Sequence, residues 1–279
     1  MPTVRALLAD ARVRLAAAPF QPPLREAALL LGRVLGFSEA QILAREEHAV
    51  EPAAAERFRG LLARRLTGEP VAYLFGEREF FGRVFHVDRR VLIPRPETEH
   101  VIEEALAAPL PPSPWILDIG TGSGILAITL ALEIPGARAV ATDLSPGALA
   151  VAAGNSRRLG AGDRVHLVGA DLARGLDLGR FDLVVSNPPY IDHADAPSLS
   201  PEVGDFEPHL ALFAPGSGDS VLARLFTELG SLRSGVRLLL EIGYGQLDGA
   251  RRQAEAAGWR LAGTRDDYAG IPRVLTLER

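Results

Sequence analysis

Leu117-Asp118-Ile119-Gly120-Thr121-Gly122-Ser123-Gly124 decides the fold of this 279-residue chain. An apolar run that begins at Trp115 ends in it, and a helical apolar pattern starts at Ile125 directly after. Glycines at 120, 122 and 124 allow a tight strand-to-helix turn and let a ligand lie against bare backbone. A dinucleotide fingerprint reads G-x-G-x-x-G and a phosphate loop needs a lysine; here G-x-G-x-G follows an acidic residue and there is no such lysine. The turn alone also suits a purely structural strand-to-helix connection.

Outward from the turn, apolar segments alternate with helical ones. Strands are expected at residues 115–119, 137–142, 165–168, 181–186, 237–242, 259–265 and 273–277. Runs such as Phe181-Asp182-Leu183-Val184-Val185 suit strands covered on both faces, so the expected fold is a doubly wound α/β domain with a mainly parallel sheet. Ligands of such sheets bind at the carboxyl ends of the strands. The second strand ends at Asp143, about twenty residues past the glycines, where a carboxylate accepts bonds from ribose hydroxyls. Asp143 also suits a cap for the helix opening at Pro146, although Ser145 is better placed for that. Asp171, closing the third strand, is a candidate for the adenine amine with Leu172 packing on the ring, or else a turn aspartate.

The fourth strand ends in Ser186-Asn187-Pro188-Pro189-Tyr190. Two prolines stiffen the backbone and remove two donors, leaving the Pro188 carbonyl as an acceptor. The Asn187 side-chain oxygen and that carbonyl can take the two hydrogens of an NH2 group, with Tyr190 over the planar face. Such a site suits a planar amide or amine nitrogen as methyl acceptor, with Asn187 as the main catalytic group. It needs neither a metal nor a covalent intermediate.

Toward the amino terminus the pattern changes. The first seventy or so residues show apolar spacings of three and four, with stripes at Leu24, Ala28, Leu31, Leu35 and at Phe58, Leu61, Leu62, Leu66. Pro23, Gly36, Ser38 and Pro52 punctuate them as helix starts and stops. A helical bundle over 1–73 is expected, acting either in recognition or as a packing accessory. Residues 74–93 read as a β-hairpin linker around Gly82, and 94–279 as the catalytic domain.

Composition narrows the chemistry. Without cysteine there is no disulfide, thiolate metal site or cysteine nucleophile. His86, His100, His166, His193 and His209 lack ligand spacing, so no metal is expected. The net charge is −5 with arginine as the sole basic side chain, and residues 1–73 hold ten arginines against eight acids. Stable nucleic-acid binding is therefore not expected, though a local basic face at the front is open. Arg5, Asp10, Arg12 and Arg14 interrupt any leader-like apolar run, and no long uncharged apolar span follows; a cytoplasmic protein without a membrane partner is expected.

The motifs together resemble the bacterial release-factor glutamine methyltransferase family (PrmC, also called HemK). The resemblance runs through Pro70-Val71-Ala72-Tyr73-Leu74 with Gly76-Glu77-Arg78-Glu79-Phe80, Ile93-Pro94-Arg95-Pro96-Glu97-Thr98-Glu99, Asp118 to Gly124, Ser186 to Ile191, Phe206-Glu207-Pro208 and Leu238 to Glu241. It implies a Rossmann-like class I methyltransferase sheet of seven strands behind a helical domain and a hairpin. It also implies S-adenosylmethionine as methyl donor, and as substrate the glutamine of the Gly-Gly-Gln tip of class I peptide chain release factors. Family roles fall on Gly120, Thr121, Gly122, Ser123, Gly124 and Asp143 for the cofactor, and on Asn187, Pro188, Pro189 and Tyr190 for the glutamine; Asp118, Asp171, Leu172 and Asn187 are further candidates for the cofactor site. Leu172 stands where some members carry an aromatic residue. Arg95, Glu97, Glu99 and Glu241 match without individual roles; Arg95 suits an anchor for the hairpin, and Glu241 either lines the cleft or pairs with an arginine. Two other readings are a nucleic-acid methyltransferase that grips a base amine with the same Asn-Pro-Pro-Tyr element, and a silent nucleotide-binding adaptor.

Overall fold

The computed structural model describes residues 1–18, 22–214 and 220–279. The chain forms two units, Met1–Phe75 with Pro201–Phe206, and Gly76–Ser200 with Glu207–Arg279. No helix among the described residues is long and apolar enough to cross a membrane.

The smaller unit is helical: α1 (Val4–Ala16), α2 (Pro23–Leu35), α3 (Glu39–Ala44), α4 (Pro52–Leu66) and α5 (Val71–Phe75). Its helices start and stop where the punctuation predicts. Proline opens α2 and α4, Gly36 closes α2 at φ 70°, and Ser38 with Gln41 forms a capping box on α3. Leu7, Leu15, Leu31, Ile42, Phe58 and Leu62 share one core. Leu24, expected on the buried stripe, is 41% exposed, because the buried face of α2 is centred on Ala27, Leu30 and Leu31. Arg65 is buried and pairs with Glu26 and with Glu202 of the returning segment, while also donating to the Glu69 carbonyl. The frontal basicity is largely matched locally, since Arg5, Arg14, Arg25, Arg59 and Arg64 all lie beside carboxylates.

In the larger unit β1 (Glu77–Phe80) and β2 (Arg83–His86) pair as an antiparallel hairpin. Its turn residues Phe81 and Gly82 both have positive φ, the geometry that matches the right-handed twist of two strands joined by two residues. Glu99 Oε1 accepts from the Phe81 N–H, and Phe80 and Phe85 are buried in the core under the main sheet. That sheet has seven strands: β3 (Trp115–Ile119), β4 (Arg138–Asp143), β5 (Val165–Gly169), β6 (Leu183–Ser186), β7 (Arg237–Glu241), β8 (Arg260–Asp266) and β9 (Pro272–Glu278). The spatial order is β5-β4-β3-β6-β7-β9-β8, with β5 through β7 parallel and β9 alone reversed, pairing antiparallel with both β7 and β8.

Side-chain parity divides the sheet cleanly. Leu117, Val184, Leu238 and Leu240 enter one core; Ile116, Val185 and Leu239 enter the other. The first face is covered by helices Ser220–Glu228 and Leu247–Ala256, through Leu222, Phe226 and Ala250. The second carries α6 (Glu99–Ala107) and α7 (Ile125–Glu133), while α8 (Pro146–Arg158) lies beside β5 and β2. Strand order reverses between β3 and β6, which opens a crevice at their carboxyl ends.

Candidate active site

The glycine turn is held from behind. Asp118 is fully buried, and its Oδ2 accepts from the Thr121 hydroxyl at 2.6 Å and from the Ala127 N–H at 3.1 Å. One carboxylate thus ties the strand end to the first turn of α7. Burial pushes its carboxyl up to about 7, opposed by those two hydrogen bonds and assisted by the nearby charge of Asp143. Asp118 therefore shapes the turn from beneath rather than lining the cavity. Gly124 does not line it either: with φ 86°, an added Cβ would sit 2.6 Å from Ile128 Cδ1. Asn155 on α8, buried, donates to the Ser123 and His86 carbonyls and accepts from the His86 N–H, so it stitches the turn to β2.

Above the turn lies a cavity of about 410 Å³, within the range that encloses a nucleoside-sized ligand. Gly120, Thr121, Gly122, Ser123, Asp143, Asp171, Leu172, Asn187 and Pro189 line it. Asp143 accepts from the Gly122 N–H at 2.9 Å and the Ser145 N–H at 2.8 Å, so the ends of β3 and β4 share one carboxylate. Ser145, as expected, caps α8 through Ala148 N. Asp171 pairs with Arg224 at 2.7 Å, a partner the sequence does not announce. Leu172 holds φ 55°, uncommon for a residue with a Cβ, at the same wall. Acidic, aliphatic and bare-backbone surfaces in this order fit an adenosine-bearing cofactor: Asp143 for ribose hydroxyls, Leu172 and Leu144 for a ring.

The acceptor loop starts beside the turn. Ile119 and Ser186 are register partners, and the Ser186 hydroxyl donates to the Ile119 carbonyl at 2.8 Å. An added Cβ on Gly120 would lie 3.9 Å from the Asn187 carbonyl oxygen, so the two loops leave the sheet side by side. The Asn187 carboxamide donates through Nδ2 to the buried Thr98 Oγ1 at 3.3 Å. Pro188 and Tyr190 lie outside the cavity wall. The ring of Tyr190 packs on Gly243, where a Cβ would approach it to 2.9 Å, and its carbonyl accepts from Gln246 Nε2. Burial, then the Glu241 charge, pushes the Tyr190 phenol up to about 12, so it remains neutral.

The four carboxylate and arginine positions left without roles by sequence resolve as follows. Arg95 pairs at 2.6 Å with the buried Glu207, which also accepts from the Ile93 N–H; the arginine thus anchors the segment ahead of α6. Glu99 holds the hairpin turn. Glu97 contributes charge near Tyr190 and Glu241. Glu241 is buried at the end of β7, outside the cavity wall, and forms no ion pair with an arginine among the described residues. Asn155, Gly243 and Gln246 carry no motif signal of their own, and Thr98 lies in the Ile93 to Glu99 motif without a role assigned to it. An asparagine inside a helix is visible in sequence only as an uncommon polar position.

Comparison with known proteins accords with this geometry. Residues 6–76 match the family described as the PrmC N-terminal domain, and residues 101–200 the methyltransferase small domain. The release factor glutamine methyltransferase of Bordetella pertussis is 45% identical, over 90% of this chain and 93% of its own. That of Cereibacter sphaeroides is 43% identical over 94% of each. Among solved structures, the catalytic domain of hMettl16 in complex with a MAT2A 3'UTR hairpin aligns with a TM-score of 0.57 at 16% identity, covering 92% of this chain and 91% of that one. At that identity the likeness is one of fold. A methyltransferase from Pyrococcus furiosus, with a TM-score of 0.53 at 18% identity over 77% of this chain and 96% of its own, repeats the same fold. The relatives of matching length establish that this chain belongs to the release factor glutamine methyltransferase family.

Proposed function

We propose that the chain transfers a methyl group from S-adenosylmethionine to the side-chain amide nitrogen of a release-factor glutamine, the one at the Gly-Gly-Gln tip of class I factors. The observation that carries this reading is the emergence of the Gly120 turn and Asn187 side by side from paired strands, over the cavity bounded by Asp143 and Leu172. Family membership supplies the acceptor class.

When bound, S-adenosylmethionine supplies a methyl group on a positively charged sulfur. The chain supplies position and polarisation. Asp143, oriented by two backbone N–H groups, presents its remaining lone pairs to ribose hydroxyls. An amide nitrogen is a weak nucleophile, its lone pair being delocalised as the rotation barrier of about 18–20 kcal/mol attests. Asn187 Oδ1 and the Pro188 carbonyl accept the two N–H bonds of the substrate amide and shift electron density onto nitrogen. Holding that nitrogen in line removes most of the entropic barrier to encounter. The extra proton on the methylated nitrogen is acidic and leaves to solvent, so no strong base is needed.

The helical unit is proposed to recognise the body of the release factor, while the cleft of the larger unit takes only its tip. The partner is proposed to be protein rather than nucleic acid, and the reaction to run in the cytoplasm. The test is transfer of labelled methyl to a purified release factor, to the same factor with its tip glutamine replaced, and to DNA and RNA. Label confined to the unaltered factor is the expected result; label entering nucleic acid would overturn the acceptor assignment.

A further inference from the structure

Glu241 is a buried carboxylate that the proposed reaction does not use. Parity along β7 places Leu238 and Leu240 in one core and Leu239 in the other, so Glu241 points to the same face as Leu239. That face is covered by α6, whose Val101, Ile102 and Ala105 join Leu239 in one cluster. Thr98, buried immediately before α6, meets Glu241 there. Asn187 completes the group, its Nδ2 donating to Thr98 Oγ1 at 3.3 Å. Register along the sheet pairs Ser186 with Leu240, which sets Asn187 beside Glu241, and the Thr98 hydroxyl and the Asn187 carboxamide both act to lower the Glu241 carboxyl.

Resting on the methyl-transfer reading above, we propose that Glu241, acting with Thr98, is a positioning residue that fixes which end of the Asn187 carboxamide faces the acceptor nitrogen. An ionised carboxylate attracts hydrogen-bond donors and repels acceptors, so beside it the Thr98 hydroxyl turns its hydrogen toward the carboxylate and offers its own oxygen to Asn187. A carboxamide is nearly symmetric in shape, and its two ends differ only in hydrogen-bonding sense. Rotated by half a turn, Asn187 would set Oδ1 against a carboxylate and a hydroxyl oxygen, and would aim an NH2 group at the NH2 group of the substrate. Glu241 thus holds Nδ2 inward and frees Oδ1 for the cleft.

The charge state of Glu241 governs this arrangement. Burial pushes its carboxyl up to about 7, opposed by hydrogen bonding from Thr98, raised by Glu97, and lowered by Arg273 and Asn187. Its Oε2 has no hydrogen-bond donor among the described residues, which leaves the charge incompletely compensated. Tyr190 faces the same group from the acceptor loop but stays neutral, and Arg95 and Glu97 act on that phenol. Protonated Glu241 no longer obliges Thr98 to donate to it, and the preference at Asn187 weakens. Methyl transfer therefore rises with pH through about 7 and levels off above.

The experiment compares the parent protein with Glu241→Gln, Thr98→Val and Thr98→Ser, each checked for folding by circular dichroism and for S-adenosylmethionine binding by calorimetry. Glu241→Gln and Thr98→Val are expected to lower kcat about 10- to 100-fold, the effect of one hydrogen bond to a charged group, with cofactor Kd unchanged. Glu241→Gln should also abolish the acid limb of the kcat profile, and Thr98→Ser should stay within about threefold of the parent. A second arm needs no acceptor. The side-chain 15NH2 signals of Asn187, assigned by their loss in Asn187→Asp, should titrate in the parent and become pH-independent in Glu241→Gln. Parent-like kcat with an intact acid limb in Glu241→Gln, loss of cofactor affinity in step with kcat, or amide signals indifferent to the substitution would each overturn the proposal. Should the parent transfer no label to a release factor, the functional reading fails, and the amide signals still decide the role of Glu241.

Discussion

The cofactor half and the acceptor half of the cleft sit on neighbouring strands, yet they are assembled at different scales. Around the glycine turn the polar partners lie close in sequence: Thr121 is three residues from Asp118, Ala127 nine, and Asp143 twenty-one from Gly122. Around Asn187 they are distant: Thr98 is 89 residues away, and Glu207 reaches back 112 to Arg95 and 114 to Ile93. The first half is one strand-turn-helix unit with its neighbour, whereas the second exists only once the sheet has brought β6, β7 and the segment before α6 together. Damage to the first should appear in cofactor binding, and damage to the second in turnover.

Asn187→Ala gives the sharpest contrast. Removing Oδ1 takes away an acceptor that matters most as charge develops on nitrogen, so kcat should fall about 100- to 1000-fold while calorimetry finds S-adenosylmethionine bound as tightly as before. Equal losses in kcat and cofactor affinity would show that the two halves are not separable. Asp143→Ala is the mirror case. It deletes the group offered to the ribose and frees the Gly122 N–H, so cofactor Kd should rise about 10- to 100-fold. Saturating cofactor should then restore most of kcat. A loss that persists at saturation would place Asp143 in the chemistry of transfer.

The same contrast of scale explains what sequence disclosed. Seven strands, the glycine turn and the helix starts at Pro23, Ser38 and Pro52 are local in origin: periodicity of two, positive-φ glycines and caps. Asn187 was legible because two following prolines mark its loop. Its pairing with Thr98 was not, since the Ile93 to Glu99 motif marks Thr98 but nothing in the chain joins it to Asn187, 89 residues on, until α6 is laid on the sheet. Glu241 matched the family segment at the end of its strand and suited either the cleft or an arginine, and only the parity of β7 relative to α6 turns it inward. Leu24 misled for the converse reason: its spacing fits the stripe, and Ala28 and Leu31 of that stripe are buried, but the buried face starts at Ala27 and leaves Leu24, in the first turn of α2, exposed. The return of Pro201–Phe206 to the helical unit has no periodic signal, being six residues without a repeat.

Asp118→Asn probes the local half through pH. The folded carboxyl is raised above its ordinary value to about 7, so the native state keeps a proton that the unfolded chain releases near pH 4. Its contribution is fully present below the unfolded value and is lost as pH rises through about 7, at a slope of up to about 1.4 kcal/mol per pH unit. Asparagine keeps an acceptor for Thr121 and Ala127 without the charge. The stability of Asp118→Asn relative to the parent should therefore grow as pH is raised from 5 to 8 in urea titrations, whereas parallel curves would mean that Asp118 is already ionised at the acid end.

Glu207→Gln strikes the distant half at its anchor, and its effect should be the smallest of the four. Glutamine has one acceptor oxygen where glutamate has two, so it can serve either the Ile93 N–H or Arg95, but not both. With Arg95 partly exposed, water recovers some of the loss. A cost of about 1–2 kcal/mol in unfolding free energy follows. Because Ile93 and Arg95 lead directly into Thr98, this small loss should be accompanied by a fall in kcat with cofactor affinity unchanged. An equal loss of stability with full turnover would show that the segment before α6 holds Thr98 in place without its anchor, and that the acceptor half is less dependent on its distant contacts than its construction implies.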